Sequence, residues 1–189
     1  MKTLLVVSHP NFAQSRVIKA LAEAAGSLQD VEIRNIDVLY GKDFTAIDVE
    51  AEKAAHERAD RIVYLFPIHW FNLTPMLKAY MNSVWQYGWA FGEGGFAFAG
   101  KELQIIAAAG AADSTYQHDG LVRYTGAEVL APLEASAYYT SFTYNQPLFF
   151  TSSNAVSDEG LQEWQRQVIE RLQSAKGSNV KGVSTRQPQ

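Results

Sequence analysis

Residues 62–78 read Ile62-Val63-Tyr64-Leu65-Phe66-Pro67-Ile68-His69-Trp70-Phe71-Asn72-Leu73-Thr74-Pro75-Met76-Leu77-Lys78. Five consecutive apolar residues, 62–66, are what a strand buried on both faces looks like. Pro67 ends the run, because proline cannot donate to a sheet ladder. The aromatic pair Trp70-Phe71 falls in a loop. Thr74-Pro75 then opens a helix, with Thr74 as its cap and Pro75 in the first turn, where the missing N–H is harmless. A strand that runs through an aromatic loop into a helix sets flat apolar surface at the carboxyl edge of a sheet. That is the edge where open α/β sheets bind ligands, and a large planar ring suits such a loop.

Toward the N-terminus, residues 3–8 form a first buried strand, broken by His9-Pro10-Asn11. Residues 15–28 place Val17, Ile18, Leu21, Ala24, Ala25 and Leu28 at helical spacing. Residues 31–38 alternate as a second strand, 40–49 are a loop, and 50–60 are a charged, alanine-rich helix. Beyond the organising strand a helix covers 75–87. The stretch 88–100, with five glycines and four aromatics, is irregular. Residues 103–109 are a fourth buried strand ending at Gly110, and 111–126 are polar and irregular. A short helix at 127–133, a fifth strand at 134–144 and an amphipathic helix at 158–175 complete the chain. Strands separated by helical segments predict an α/β fold, a five-stranded parallel sheet with helices on both faces. A single domain, 1–175, precedes a polar tail, 176–189, expected to be disordered.

The chain has 189 residues, enough for one domain with a sizeable core. Its formal charge is −4 with no basic block, which argues against nucleic acid as a partner. The absence of cysteine excludes disulfides, a thiol nucleophile and a cysteine-ligated metal, and no metal site is expected. The apolar run behind Lys2 is too short to span a membrane and leads into His9-Pro10 without a small-residue cleavage site, so a cytoplasmic location is expected.

Three loops each follow a buried strand and should converge on one sheet edge. The first, residues 8–16, offers His9, Ser15 and Arg16 beside the free N–H groups of a helix N-terminus, which suits a phosphate. It also reads as a plainly capped helix with an exposed Arg16. Neither GxGxxG nor GxxxxGK[ST] is present. The second loop holds Pro67, Ile68, Trp70 and Phe71, either ring-lining or simply packed. The third, 109–118, has small residues around Gly110 that let backbone N–H groups approach a ligand, with Tyr116 and His118 as proton or hydrogen-bond donors. It also reads as an exposed polar loop. Together the three describe a flavin mononucleotide-like ligand better than any one does alone.

Ser8-His9-Pro10 with Ser15, the run from Phe66 to Lys78, Gly88-Trp89-Ala90-Phe91-Gly92 and Leu130-Ala131-Pro132-Leu133 resemble the flavodoxin-like NAD(P)H:quinone reductases. The resemblance covers roughly residues 2–174. It points to the bacterial branch holding the ancillary flavoproteins of potassium-efflux systems and the general stress proteins. It implies a flavodoxin-like, doubly wound five-stranded sheet and a homodimer with one FMN or FAD per subunit. NADPH or NADH would be the hydride donor and a quinone the acceptor. It also implies that His9 and Ser15 hold the flavin phosphate, and that Pro67, Ile68, Trp70 and Phe71 line the ring. Gly110 would meet the pyrimidine edge, and Tyr116 would assist hydride transfer. His118 would take the second catalytic position if the loop has shortened. The family's Thr-Thr-Gly-Gly reads Ala108-Ala109-Gly110-Ala111 here, and Ile18 stands where many relatives carry asparagine. The alternatives are a regulatory partner of a membrane transporter with little turnover, and a one-electron carrier. The aromatic segment 85–98, which looks built to enclose a substrate or a second subunit, argues against the carrier.

Overall fold

The structure, a computed structural model, describes residues 1–180. Its centre is a parallel sheet. β1 (Thr3–Val7), β3 (Arg61–Pro67) and β4 (Glu102–Ala108) are buried along almost their whole length. Alternate residues feed two cores, as the pleat requires. Leu4, Val6, Ile62, Tyr64, Phe66, Leu103 and Ile105 face one way, and Leu5, Val7, Val63, Leu65 and Ile106 the other. The run 62–66 is apolar throughout because both of its faces are covered.

β2 (Val31–Asn35) pairs with β1, so the order across the sheet is β2-β1-β3-β4, every pair parallel. Its outer edge is a strand in two pieces. β5 (Thr143–Tyr144) lies beside Glu102 and Leu103, and β6 (Leu148–Phe150) beside Ile106 to Ala108. Asn145, Gln146 and Pro147 therefore stand opposite Gln104 and Ile105, a bulge of one residue at a proline that cannot donate. The resulting order, 2-1-3-4-5, is that of a doubly wound flavodoxin-like sheet.

α1 (Arg16–Gly26) and α7 (Asp158–Gln173) cover the Leu5 face. The opposite face takes α2 (Ile36–Tyr40), α3 (Val49–Arg58), α4 (Pro75–Val84) and α6 (Ala131–Tyr139), the last entered through the short α5 (Gly126–Val129). Thr74 caps α4 as its sequence predicts, accepting from the Leu77 N–H at 3.2 Å, with Pro75 in the first turn.

Three expectations need correction. Residues 134–144 are not a strand; most of them lie in α6. The buried pair there is Leu133 and Ala137, four apart, which is a helical period rather than an alternation. The second strand stops at Asn35, whose side chain accepts from the Val38 N–H and starts α2. Residues 176–180 are held against the sheet, with Gly177 N–H on Glu102 Oε1 and Gln146 N–H on the Asn179 carbonyl. The rest of the expected tail, 181–189, lies outside the described residues.

Candidate functional site

The aromatic loop after β3 is a two-residue turn. His69 N–H donates to Asn72 O and Asn72 N–H to His69 O, both at 3.0 Å. The two central residues, Trp70 at φ 48° and Phe71 at φ 60°, both lie in the left-handed region. This is the geometry that Asn-Gly usually supplies. A bulky side chain there costs on the order of 1–3 kcal/mol. Trp70 is 93% exposed, so no packing within the chain offsets that cost. Behind the turn, fully buried Ser8 ties the first two loops together, donating to Asp37 Oδ2 at 2.6 Å and sharing a hydrogen bond with Thr74 Oγ1 at 2.5 Å.

The loop after β1 forms a polar cleft of about 450 Å³ lined by His9, Asn11, Ser15, Arg16, Pro67 and Asn154 among others. Ser15 caps α1 by accepting from the Ile18 N–H at 3.2 Å. The N–H groups of Arg16 and Val17 have no partner among the described residues, as expected of a helix's first turn. His9 Nδ1 accepts from the Asn11 N–H at 3.0 Å. Burial, and then the neighbouring His69, hold the His9 imidazole below its ordinary range, against the pull of Asp37. Arg16 is not a free phosphate ligand. Its guanidinium donates to Val156 O at 2.7 Å and pairs with Asp158 at 2.5 Å, so what it offers the cleft is its backbone N–H.

Past β4 the chain lies against the loop that follows β6. Ser152 N–H donates to Ala111 O and Ser153 N–H to Ala109 O. A Cβ on Gly110 would lie 2.6 Å from Asn154 Nδ2, so glycine is what allows this approach. The N–H groups of Gly110 and Ala111 make no hydrogen bond among the described residues.

An apolar cavity of about 780 Å³ opens beside the polar cleft. Ile68, Trp70, Phe71, Ala111 and Tyr116, from the loops that follow β3 and β4, line it together with Leu121, Val122, Tyr124 and Pro132. The Tyr116 side chain is 5% exposed, its ring set edge-on between Phe149 and Phe71. Burial pushes its phenol above the ordinary range, and its hydroxyl has no partner among the described residues. His118 does not line this cavity. It is exposed and donates from Nε2 to Glu128 Oε2 at 2.9 Å.

The site thus brings together His9, Ser15, Arg16, Pro67, Ile68, Trp70, Phe71 and Tyr116, with Gly110 lying in the chain between the lining residues Ala108 and Ala111, and leaves His118 off both linings. Sequence reading missed Ser153, Asn154 and the wall 121–124. The polar run 151–154 behind Leu148-Phe149-Phe150 was the available signal for the first two. The aromatics of 85–98 do not line the cavity. Phe98 stacks on Phe142 at 4.2 Å with Trp85 edge-on at 5.0 Å, so these three are core, while Tyr87 and Phe96 are exposed.

A family model described as Flavodoxin-like fold matches residues 1–172. The glutathione-regulated potassium-efflux system ancillary protein KefF of Klebsiella aerogenes is 37% identical over 89% of this chain and 93% of its own. Among solved structures, general stress protein 14 of Treponema denticola in complex with FMN superposes with a TM-score of 0.81. It is 35% identical, over 91% of this chain and 96% of its own. An NADPH-quinone reductase from P. pentosaceus superposes with a TM-score of 0.80 at 25% identity, over 90% and 97%.

Proposed function

This chain belongs to the Flavodoxin-like fold family, and from that premise we propose that it is a flavin-dependent oxidoreductase carrying hydride from NADPH or NADH to a quinone. One observation carries the reading. The polar cleft and the apolar cavity meet along Pro67-Ile68 and Ala108 to Ala111, so one ligand with an anionic end and a flat ring spans both.

The donors fit FMN at each end. The N–H groups of Arg16 and Val17, the Ser15 and Ser153 hydroxyls and the Gln14 and Asn154 amides suit a phosphate and a polyol. Trp70 and Phe71 offer stacking faces for the ring, and the N–H groups of Gly110 and Ala111 suit its carbonyl edge. When bound, the flavin supplies the capacity to take up and release hydride. The chain positions the reactants and stabilises charge. The Tyr116 hydroxyl, free of internal partners and facing the cavity, donates a hydrogen bond where negative charge develops. Leu121, Val122 and Tyr124 add apolar surface to the cavity, against which a bound ring or acceptor would pack.

The finer partner reading is a homodimer with the site at the subunit boundary. Its support is the exposure of the aromatic side chains Trp70, Tyr87, Phe96 and Tyr139, which a second subunit would cover. A membrane transporter is a second partner reading, resting on the potassium-efflux relative alone. We place the protein in the cytoplasm, where nicotinamide donors are abundant. Among the described residues no helix is long and apolar enough to cross a membrane.

The test is direct. The purified protein should carry the flavin absorbance bands, release FMN on denaturation, and be reduced by NADPH or NADH and reoxidised by a quinone. A colourless protein that takes up neither FMN nor FAD would end this reading. A coloured protein that neither nucleotide reduces within minutes would point instead to a regulatory subunit.

A further inference from the structure

Part of the wall of the apolar cavity is a loop whose arms meet at one carboxylate. Leu121 and Tyr124 line the cavity, yet Leu121 is 89% exposed, so packing beneath it does not fix its place. The base of the loop is tight. Gly120 N–H donates to Gln117 O at 2.9 Å, a Cβ on Gly120 would lie 2.3 Å from Ser114 O, and Val122 N–H returns to Thr115 O at 3.2 Å. Arg123 then turns the chain through φ 63°.

Both arms end on Glu128, in the first turn of α5. Its Oε2 accepts from the Thr125 N–H at 2.7 Å and the Thr125 hydroxyl at 2.9 Å, completing a capping box with Thr125 Oγ1 on the Glu128 N–H. The same oxygen accepts from His118 Nε2 at 2.9 Å. The Thr125 backbone N–H, then its hydroxyl, then His118 hold the carboxyl down to about 2, so it is an ionised acceptor throughout the neutral range.

We propose that His118 is a positioning residue: by donating to Glu128 it closes the loop from 118 to 125 and sets Leu121 and Tyr124 as the wall against which the electron acceptor packs. A proton donor must come within hydrogen-bond reach of the reacting atoms. His118 lies off the cavity lining, and its Nε2–H is already engaged by Glu128. The loop closure stands on geometry alone; only the role toward the acceptor rests on the quinone-reductase reading.

Arg123, exposed within this loop, is a built-in tryptic reporter. Loss of one exposed imidazole-to-carboxylate hydrogen bond is worth on the order of fivefold in the population of the open loop. His118→Ala should therefore speed tryptic cleavage after Arg123 by about that factor. It should raise KM for 2-methyl-1,4-naphthoquinone similarly while leaving the rate of flavin reduction by NADPH unchanged. His118→Gln can reach the same carboxylate with its amide but cannot release a proton, and should restore both the protection and the KM. Cleavage of His118→Ala no faster than the parent would overturn the loop assignment. Flavin reduction slowed equally in the Ala and Gln variants would overturn it in favour of a proton donor. If the parent is itself not reduced by either nucleotide, the quinone-reductase reading fails, and the cleavage rates still decide the loop closure.

Discussion

Phe71 and Tyr116 come from the loops that follow two neighbouring strands, and their rings meet edge to face with centroids 6.3 Å apart. Phe149 holds Tyr116 from another side at 5.0 Å. The phenol is therefore oriented by its ring contacts, and its hydroxyl has no partner among the described residues.

Tyr116→Phe removes that hydroxyl and keeps the ring contacts. Flavin content and unfolding midpoint should match the parent. Losing one hydrogen-bond donor at a strong electrostatic site costs roughly 2.7–4 kcal/mol of barrier. The lower end is expected here because the Gly110 and Ala111 N–H groups remain, so reduction by NADPH should slow about a hundredfold. Stopped-flow absorbance of the flavin reads this, and equal rates would remove Tyr116 from the mechanism.

The Trp70-Phe71 turn sets stability against binding. The double substitution Trp70→Asn with Phe71→Gly supplies residue types suited to two successive left-handed positions. The fold should gain about 1–3 kcal/mol in urea unfolding. Flavin affinity should fall by on the order of 1–3 kcal/mol, because the stacking area is gone. A double variant that is less stable than the parent would show that the turn is not strained.

What the sequence disclosed follows from how strongly each element is constrained. The strand at 62–66 was legible because both faces are buried, and Thr74-Pro75 because cap and first-turn proline agree. The edge strand was misplaced because its two pieces are short and broken at Pro147, while Ala135 and Ala137 imitate alternation inside a helix. That error hid Ser153 and Asn154, which follow the true strand into the site. The left-handed turn was not legible at all, since Trp-Phe is the opposite of its usual composition. The Thr125-x-x-Glu128 capping signal is present, but the same carboxylate also receives His118, a contact ten residues apart that only the folded loop creates.

At the amino end of the sheet, Arg61 and Glu102 form a buried ion pair at 2.7 Å. Arg61 also donates to the carbonyls of Arg171, Leu172 and Ser174, closing the end of α7. Glu102→Ala leaves the guanidinium buried without its counter-charge and frees Gly177. A loss of about 3–5 kcal/mol is expected, measured by denaturant unfolding. A loss below about 1 kcal/mol would mean that water reaches the pair.

His56 gives the fold an acid limit remote from the site. It is fully buried among Tyr80, Trp89 and Phe98, with Nδ1 2.8 Å from the Glu52 carbonyl and Nε2 without a partner. Burial lowers its pKa to about 4, outweighing the pull of the Glu52 carbonyl and carboxylate. The unfolded chain, with an ordinary imidazole near 6.5, therefore binds the proton more tightly than the folded one. The sign follows: this contribution to stability is complete above pH 6.5, falls as the pH drops toward 4, and changes little below that. Integrated between pH 7 and pH 5, it amounts to a loss of about 2 kcal/mol. His56→Gln keeps a donor for the Glu52 carbonyl and removes the titration. Urea unfolding at pH 7 and pH 5 should show the variant losing about 2 kcal/mol less than the parent over that interval. His9, lowered in the same direction, is common to both proteins and cancels in the difference. Parallel losses in parent and variant would mean that His56 is reached by water and titrates normally, and the buried aromatic cage would then have to open on a timescale fast enough to protonate it.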